Sequence, residues 1–171
     1  MIVHPPQIEA RGEQHYVGIR SQASGRELNA VIPQLLGEVF AWAGQHGIVP
    51  AGAPFIRYHV INMATTMEIE VCLPVTSAVA GDGRVSPGVL PAGQYATLVY
   101  RGVANGVQAN HVLLAWGNDQ GLAWDAWEAK NGEVFRARYE TFLTRPEEEP
   151  DQANWETEVA IRLADTPVRK D

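Results

Sequence analysis

Two runs, Pro54-Phe-Ile-Arg-Tyr-His-Val-Ile-Asn62 and Met67-Glu-Ile-Glu-Val-Cys-Leu-Pro-Val75, decide how the rest of the chain is read. Both are dense in β-branched and aromatic residues and are bounded by Gly or Pro, the composition of strands. Only Met63–Thr66 separates them, a hairpin-length connection. A weaker copy follows. Glu133-Val-Phe-Arg-Ala-Arg-Tyr-Glu-Thr-Phe-Leu143 echoes the first run, setting Arg138-Tyr139-Glu140 against Arg57-Tyr58-His59. Glu158-Val-Ala-Ile161 echoes Glu70-Val-Cys-Leu73. Two like hairpins predict two like half-sheets facing each other across a groove, with Tyr58 equivalent to Tyr139.

The flanking elements repeat as well. Gln14–Ser21 alternates as a strand, and Ser24-Gly-Arg-Glu27 has the form of a capping box. Leu28, Val31, Ile32, Leu35, Leu36, Val39, Phe40 and Ala43 then form a helical stripe. Pro33 lies inside it, so the regular helix is expected from about Ile32, after a turn, and Gly44 or Gly47 ends it. In the second half Arg84–Leu90 and Tyr95–Gly102 read as strands, Val103–Gly121 as a helix, and Trp127–Leu143 with Asn154–Ala164 as the closing strands. Trp116 falls 74 residues after Trp42, and each is followed five residues on by a glycine, Gly121 and Gly47. The order strand–helix–strand–strand thus occurs twice. That predicts one α+β domain over residues 1–165, built as a duplicated β-α-β-β unit with repeats at about 14–76 and 83–164. Residues 1–13 are expected to be an extended leading segment, and 166–171 a flexible tail.

Composition removes whole classes of function. A net charge of −7 over 171 residues argues against a phosphate-backbone partner, so no direct nucleic-acid binding is expected; it is permissive for cations. The single cysteine, Cys72, cannot form an internal disulfide, which fits a reducing, cytoplasmic setting. No run approaches a membrane span, and the first ten residues lack the basic and apolar regions of a signal peptide. His4, His15, His46, His59 and His111 show no metal-ligand spacing, and no P-loop, dinucleotide fingerprint or Gly-x-Ser-x-Gly is present. Neither metal nor cofactor is expected.

Phe55-Ile-Arg-Tyr-His59, Glu70-Val-Cys-Leu-Pro-Val75, Leu90-Pro-Ala-Gly-Gln-Tyr-Ala96, Arg101-Gly102, Tyr139-Glu-Thr-Phe-Leu-Thr-Arg-Pro146 and Trp155-Glu-Thr-Glu-Val159 stand in an informative order and spacing. In these pieces the chain resembles the GyrI-like small-molecule-binding domain, over roughly residues 6–164. The same domain serves as the effector-binding part of AraC-type and MerR-type drug-sensing regulators of bacteria. The resemblance implies two helices on one side of antiparallel sheets and a groove on the other side that takes amphipathic, often cationic, aromatic compounds. It implies a buried glutamate in that groove, and Glu140 matches its motif position. With no helix-turn-helix beside the domain, the chain looks like a stand-alone member. Members of that kind include hydrolases that open the cyclopropane rings of genotoxins and one modulator that binds DNA gyrase. A related duplicated, SOUL-like fold binds haem, but none of the five histidines is marked out as an axial ligand.

Glu140 has Phe135, Tyr139 and Phe142 close by in sequence. A carboxylate among rings is desolvated, which raises its pKa toward the range useful for acid–base work and leaves an ionised form that selects cations. A solvated edge glutamate is the plain alternative. Tyr58, Tyr100 and Tyr139 offer stacking faces and phenol donors. Trp116 is read as core that borders the ligand, and Trp124 and Trp127 as a pocket rim. Glu70 and its repeat mate Glu158 are candidates to point into the groove from both halves, and Phe142 completes the ligand-binding set. For hydrolysis, Glu140 would be the general base, with Tyr58 or Tyr139 donating to the oxygen that gains charge.

Overall fold

Strand pairing builds one sheet where the repeats predicted two. The computed structural model describes residues 1–62 and 64–165, so Met63 of the expected hairpin connection and the expected 166–171 tail lie outside the described residues. Ten strands and two helices follow in the order β1 (Ile2–Arg11), β2 (Gln14–Ala23), α1 (Leu28–Gln45), β3 (Phe55–Ile61), β4 (Met67–Pro74), β5 (Val85–Leu90), β6 (Gly93–Arg101), α2 (Gly106–Asp119), β7 (Ala126–Ala129), β8 (Gly132–Phe135), β9 (Arg138–Phe142) and β10 (Glu156–Arg162). Their order across the sheet is β1-β6-β10-β9-β3-β4-β2-β5, and the β7–β8 hairpin joins it where β8 pairs with β3. The α+β reading holds. The half-sheets do not face each other: β3 pairs antiparallel with β9 and fuses them edge to edge.

The duplication is visible in how the helices end. After α1, Ile48 N–H donates to the Ala43 carbonyl and Gly47 N–H to that of Gly44; after α2, Leu122 N–H donates to Gly117 and Gly121 N–H to Asn118. These are two copies of a Schellman closure, with Gly47 (φ +67°) and Gly121 (φ +72°) in the left-handed conformation that glycine adopts without strain. Trp42 and Trp116 occupy the same place relative to the closures. Each helix lies on its own half. α1 buries Leu35, Val39 and Trp42 against Val17, Ile19, Val71 and Leu73. α2 buries Ala109 and Leu113 against Leu98, Val159 and Ile161.

Three details differ from the sequence reading. α1 is regular from Leu28, because Pro33 is exposed on its outer side and the bond it forgoes would fall on the solvent-facing Asn29. Of the capping box, only the Glu27 half forms, its Oε1 accepting from Ser24 N–H at 2.8 Å. The leading segment is a strand, β1. It lies at the sheet's edge, where Pro5 and Pro6 cost little, and its register with β6 shifts between Ile2 and His4 and again across the prolines, between His4 and Gln7.

Candidate functional site

Alternation along each strand sorts the candidate residues onto two faces. Across the middle of the sheet, Val71 pairs with Ile56, Ile56 with Glu140, Glu140 with Val159, and Val159 with Leu98. Val71 packs under α1, while Val159 and Leu98 pack under α2. Glu140 is therefore on the helix-bearing face, at the seam between the repeats. The sequence reading had put it in the groove on the opposite face; strand parity decides otherwise. The neighbouring row, Glu70–Arg57–Tyr139–Ala160, faces the helix-free side.

The same register corrects the repeat alignment. If Glu70 corresponds to Glu158, then two residues on Cys72 corresponds to Ala160. Cys72 pairs with Phe55 and Ala160 with Tyr139, so Tyr139 is the mate of Phe55. Tyr58, opposite Ile69, corresponds to Phe142, opposite Thr157. The Arg-Tyr echo misaligned the strands and reversed the faces.

At the seam, Glu140 is 9% exposed and accepts from the Tyr100 hydroxyl at 3.1 Å. The Tyr58 hydroxyl and the Asn110 side chain also lie near enough to favour its charged form. Arg138, two residues back on the same face, donates through Nη2 to Asn110 Oδ1 at 2.8 Å and stacks its guanidinium 4.7 Å from the Phe135 ring centre. α2 comes this close because residue 106 is glycine: a Cβ there would meet Tyr100 Oη at 2.9 Å. On the α1 side, Leu28, Val31 and Ile32 pack with Tyr58 and Phe142, giving the carboxylate an apolar border. Burial pushes the Glu140 pKa up; the Arg138 charge and the Tyr100, Tyr58 and Asn110 contacts pull it back without cancelling the rise. Burial and the Glu140 charge raise both Tyr58 and Tyr100, so these phenols stay protonated and act as donors.

The helix-free face carries the other buried carboxylate. Glu70 Oε1 accepts from Tyr16 Oη at 2.7 Å and lies 2.8 Å from His59 Nε2, and Arg57 Nη1 donates to Tyr16 Oη at 2.9 Å. Beside this network a cleft of about 390 Å³ is lined by Phe55, Tyr95, Tyr139, Arg11 and Glu158 among others. The rings in and behind it follow the pseudo-two-fold: Tyr16 meets Phe55 edge-on at 5.4 Å, Tyr95 meets Tyr139 edge-on at 5.8 Å, and Phe55 and Tyr139 touch across the axis at 5.4 Å.

The structure thus brings Tyr58, Tyr100, Phe142 and Glu140 together and separates Tyr139 and Glu70 from them by the thickness of the sheet. Tyr139 accepts from Arg11 Nη1 at 2.8 Å in the cleft and cannot serve Glu140. Trp116 and Trp124 lie at the other end of α2 from Asn110. Trp116 and Trp124 pack on the second core, Trp124 donating to Asn118 Oδ1 at 3.1 Å. Trp127 is 44% exposed on the β7–β8 hairpin under the Arg136 guanidinium, 5.2 Å from its ring centre. Sequence reasoning missed Arg138 and Asn110 as site residues. Arg138 was accessible through the two-residue period of the strand; Asn110 arrives only through helix docking. Among the described residues no group of three or more His, Cys, Asp or Glu is placed to hold a metal, and no helix is long and apolar enough to cross a membrane.

A family model for the GyrI-like small molecule binding domain matches residues 4–164, and the chain belongs to that family. No curated protein matches it significantly by sequence. Among solved structures, the EcmrR C-terminal domain is 18% identical, with a TM-score of 0.74 over 96% of this chain and 100% of that one. SAV2435 bound to tetraphenylphosphonium is 12% identical, with a TM-score of 0.57 over 93% of each chain. A hydrolase from Listeria innocua is 10% identical, with a TM-score of 0.61 over 96% of this chain and 94% of that one. These likenesses are of fold. The chain spans 59% of the EcmrR chain seen in its complex with DNA.

Proposed function

We propose that this small-molecule-binding domain takes amphipathic, cationic aromatic compounds at the seam between α1 and α2, and that it senses or sequesters them in the cytoplasm. Glu140 supplies the counter-charge, Tyr58 and Phe142 the aromatic wall, and Tyr100 the hydrogen bond that orients the carboxylate. The observation that carries this reading is Glu140 itself, a carboxylate 9% exposed whose burial outweighs its hydrogen bonds and the Arg138 charge. Such a group costs stability and is kept where a ligand can answer it. Apolar contact along the seam would supply most of the affinity, and the charge would select among ligands. Titration of tetraphenylphosphonium, the compound bound in the SAV2435 structure, into wild type and Glu140→Gln tests this. Equal affinities would refute the charge role.

A second reading rests on the Tyr100–Glu140 hydrogen bond of 3.1 Å. A raised carboxylate pKa beside two protonated phenols suits a general base working with an oxygen-polarising donor, as hydrolysis of a cyclopropane-bearing electrophile requires. Here Tyr58 and Tyr100 fill the donor role, not Tyr139. Loss of kcat in Glu140→Gln would support the enzyme, whereas a rise in KM alone would make Glu140 a binding group.

A further inference from the structure

The Glu140 site already contains a cation. Arg138 leaves β9 on the same face, two residues from Glu140, and is itself 9% exposed. Its stem and guanidinium are fixed from two sides, by the Phe135 ring at 4.7 Å and by Asn110 Oδ1 at 2.8 Å. Asn110 in turn donates to the Gly106 carbonyl at 2.9 Å, which anchors the bridge to the first turn of α2. Glu140 bears on Arg138 electrostatically, and Glu133 is a further acid that does so. Arg138 and Glu140 are of opposite sign, and the pair is neutral when both are ionised.

We propose that Arg138 is the site's resident counter-cation, occupying electrostatically the place beside Glu140 that a cationic ligand takes, and so sets which charged ligands bind. This rests on Glu140 being the ligand's counter-charge. A lipophilic monocation entering the seam meets the like charge of Arg138 as well as the carboxylate. In a protein interior with an effective dielectric near 20, a like charge about 6–12 Å from the ligand's weakens binding by about 10- to 100-fold. To bind tightly, the ligand must move Arg138 off Asn110. The bridge then passes that displacement to the first turn of α2, the part of the helix that Asn110 ties to the sheet.

The experiment measures tetraphenylphosphonium and its neutral relative triphenylphosphine oxide against wild type, Arg138→Gln, Arg138→Lys and Glu140→Gln by calorimetry. Measurements are made at neutral pH and repeated at alkaline pH, which favours ionised Glu140 when its partner is removed. The expected result is that Arg138→Gln tightens the phosphonium by about tenfold or more and leaves the oxide within about twofold, while Arg138→Lys binds both like wild type. Should Arg138→Gln not fold, Arg138→Met, which keeps a stem on Phe135, takes its place. Unchanged or weaker phosphonium binding in the neutral variant overturns the proposal. So does equal tightening of both compounds, which would mean that the substitution merely opened space. Indifference of the phosphonium to Glu140→Gln would instead bring down the underlying reading of the site, whatever Arg138 does.

Discussion

Glu70 and Glu140 are both buried carboxylates on inner strands of one sheet, and the protein treats them in opposite ways. Burial alone would raise both. At Glu70 the His59 and Tyr16 hydrogen bonds, with the charges of His59 and Arg20, outweigh burial, and the pKa ends lowered. At Glu140 burial outweighs Arg138, Tyr100, Tyr58 and Asn110, and the pKa ends raised. The fold therefore satisfies the carboxylate on the helix-free face and leaves the one at the helix seam wanting charge. A carboxylate satisfied by its own fold belongs to the structure; one left short is where a ligand has something to add.

The largest expected effect breaks the comparison from the Glu70 side. Glu70→Ala removes a 2%-exposed carboxylate that two side chains bond, and strands Tyr16 and His59. It should cost about 2–4 kcal/mol in urea unfolding. Glu140→Gln, which keeps the shape and relieves the charge, should cost nothing measurable or stabilise slightly at neutral pH. Equal losses in the two variants would mean that Glu140 is structural as well.

Tyr16→Phe sharpens the comparison at the level of one hydroxyl. It takes a donor from Glu70 and an acceptor from Arg57, for an expected loss of about 1–2 kcal/mol. Tyr58→Phe at the seam should cost less, since the Glu140 that it serves also has Tyr100.

The smallest effect is a pH dependence of opposite sign in the two halves. Glu70, with its folded pKa lowered, contributes stability that is present above the ordinary carboxylate range and is lost as pH falls through the lowered value. Glu140, with its folded pKa raised, contributes stability that is full below the ordinary range and is lost as pH rises through the raised value. Glu70→Gln should therefore flatten the acid limb of a thermal-stability profile. Glu140→Gln should flatten the decline on the alkaline side of the ordinary carboxylate range. A Glu140→Gln profile parallel to wild type throughout would contradict the assignment.

Much of this was legible in the sequence, and the parts that were not share a cause. The Trp42 and Trp116 spacing with its trailing glycines located both helix ends, because a Schellman closure needs a particular residue at a particular step. The strands announced themselves by composition. Register did not: Arg57-Tyr58 and Arg138-Tyr139 match as letters, but an alignment that is off by an odd number of residues exchanges the faces of a sheet. It equated Tyr58 with Tyr139, although the two lie on opposite faces of the sheet. β1 was hidden because Pro5-Pro6 looks unlike a strand and is tolerated at an edge. Asn110 had no local signal, since its role depends on how α2 docks.

The claim that Glu140, and not Glu70, is the ligand's carboxylate is tested most directly by calorimetric titration of tetraphenylphosphonium into three proteins at neutral pH. Wild type should bind in the micromolar range. Glu140→Gln should weaken binding by about tenfold or more, the loss of one charge-assisted contact in a desolvated site. Glu70→Gln, altered on the opposite face, should match wild type once its folding is confirmed. Unchanged affinity in Glu140→Gln, or an equal loss in Glu70→Gln, would contradict the account.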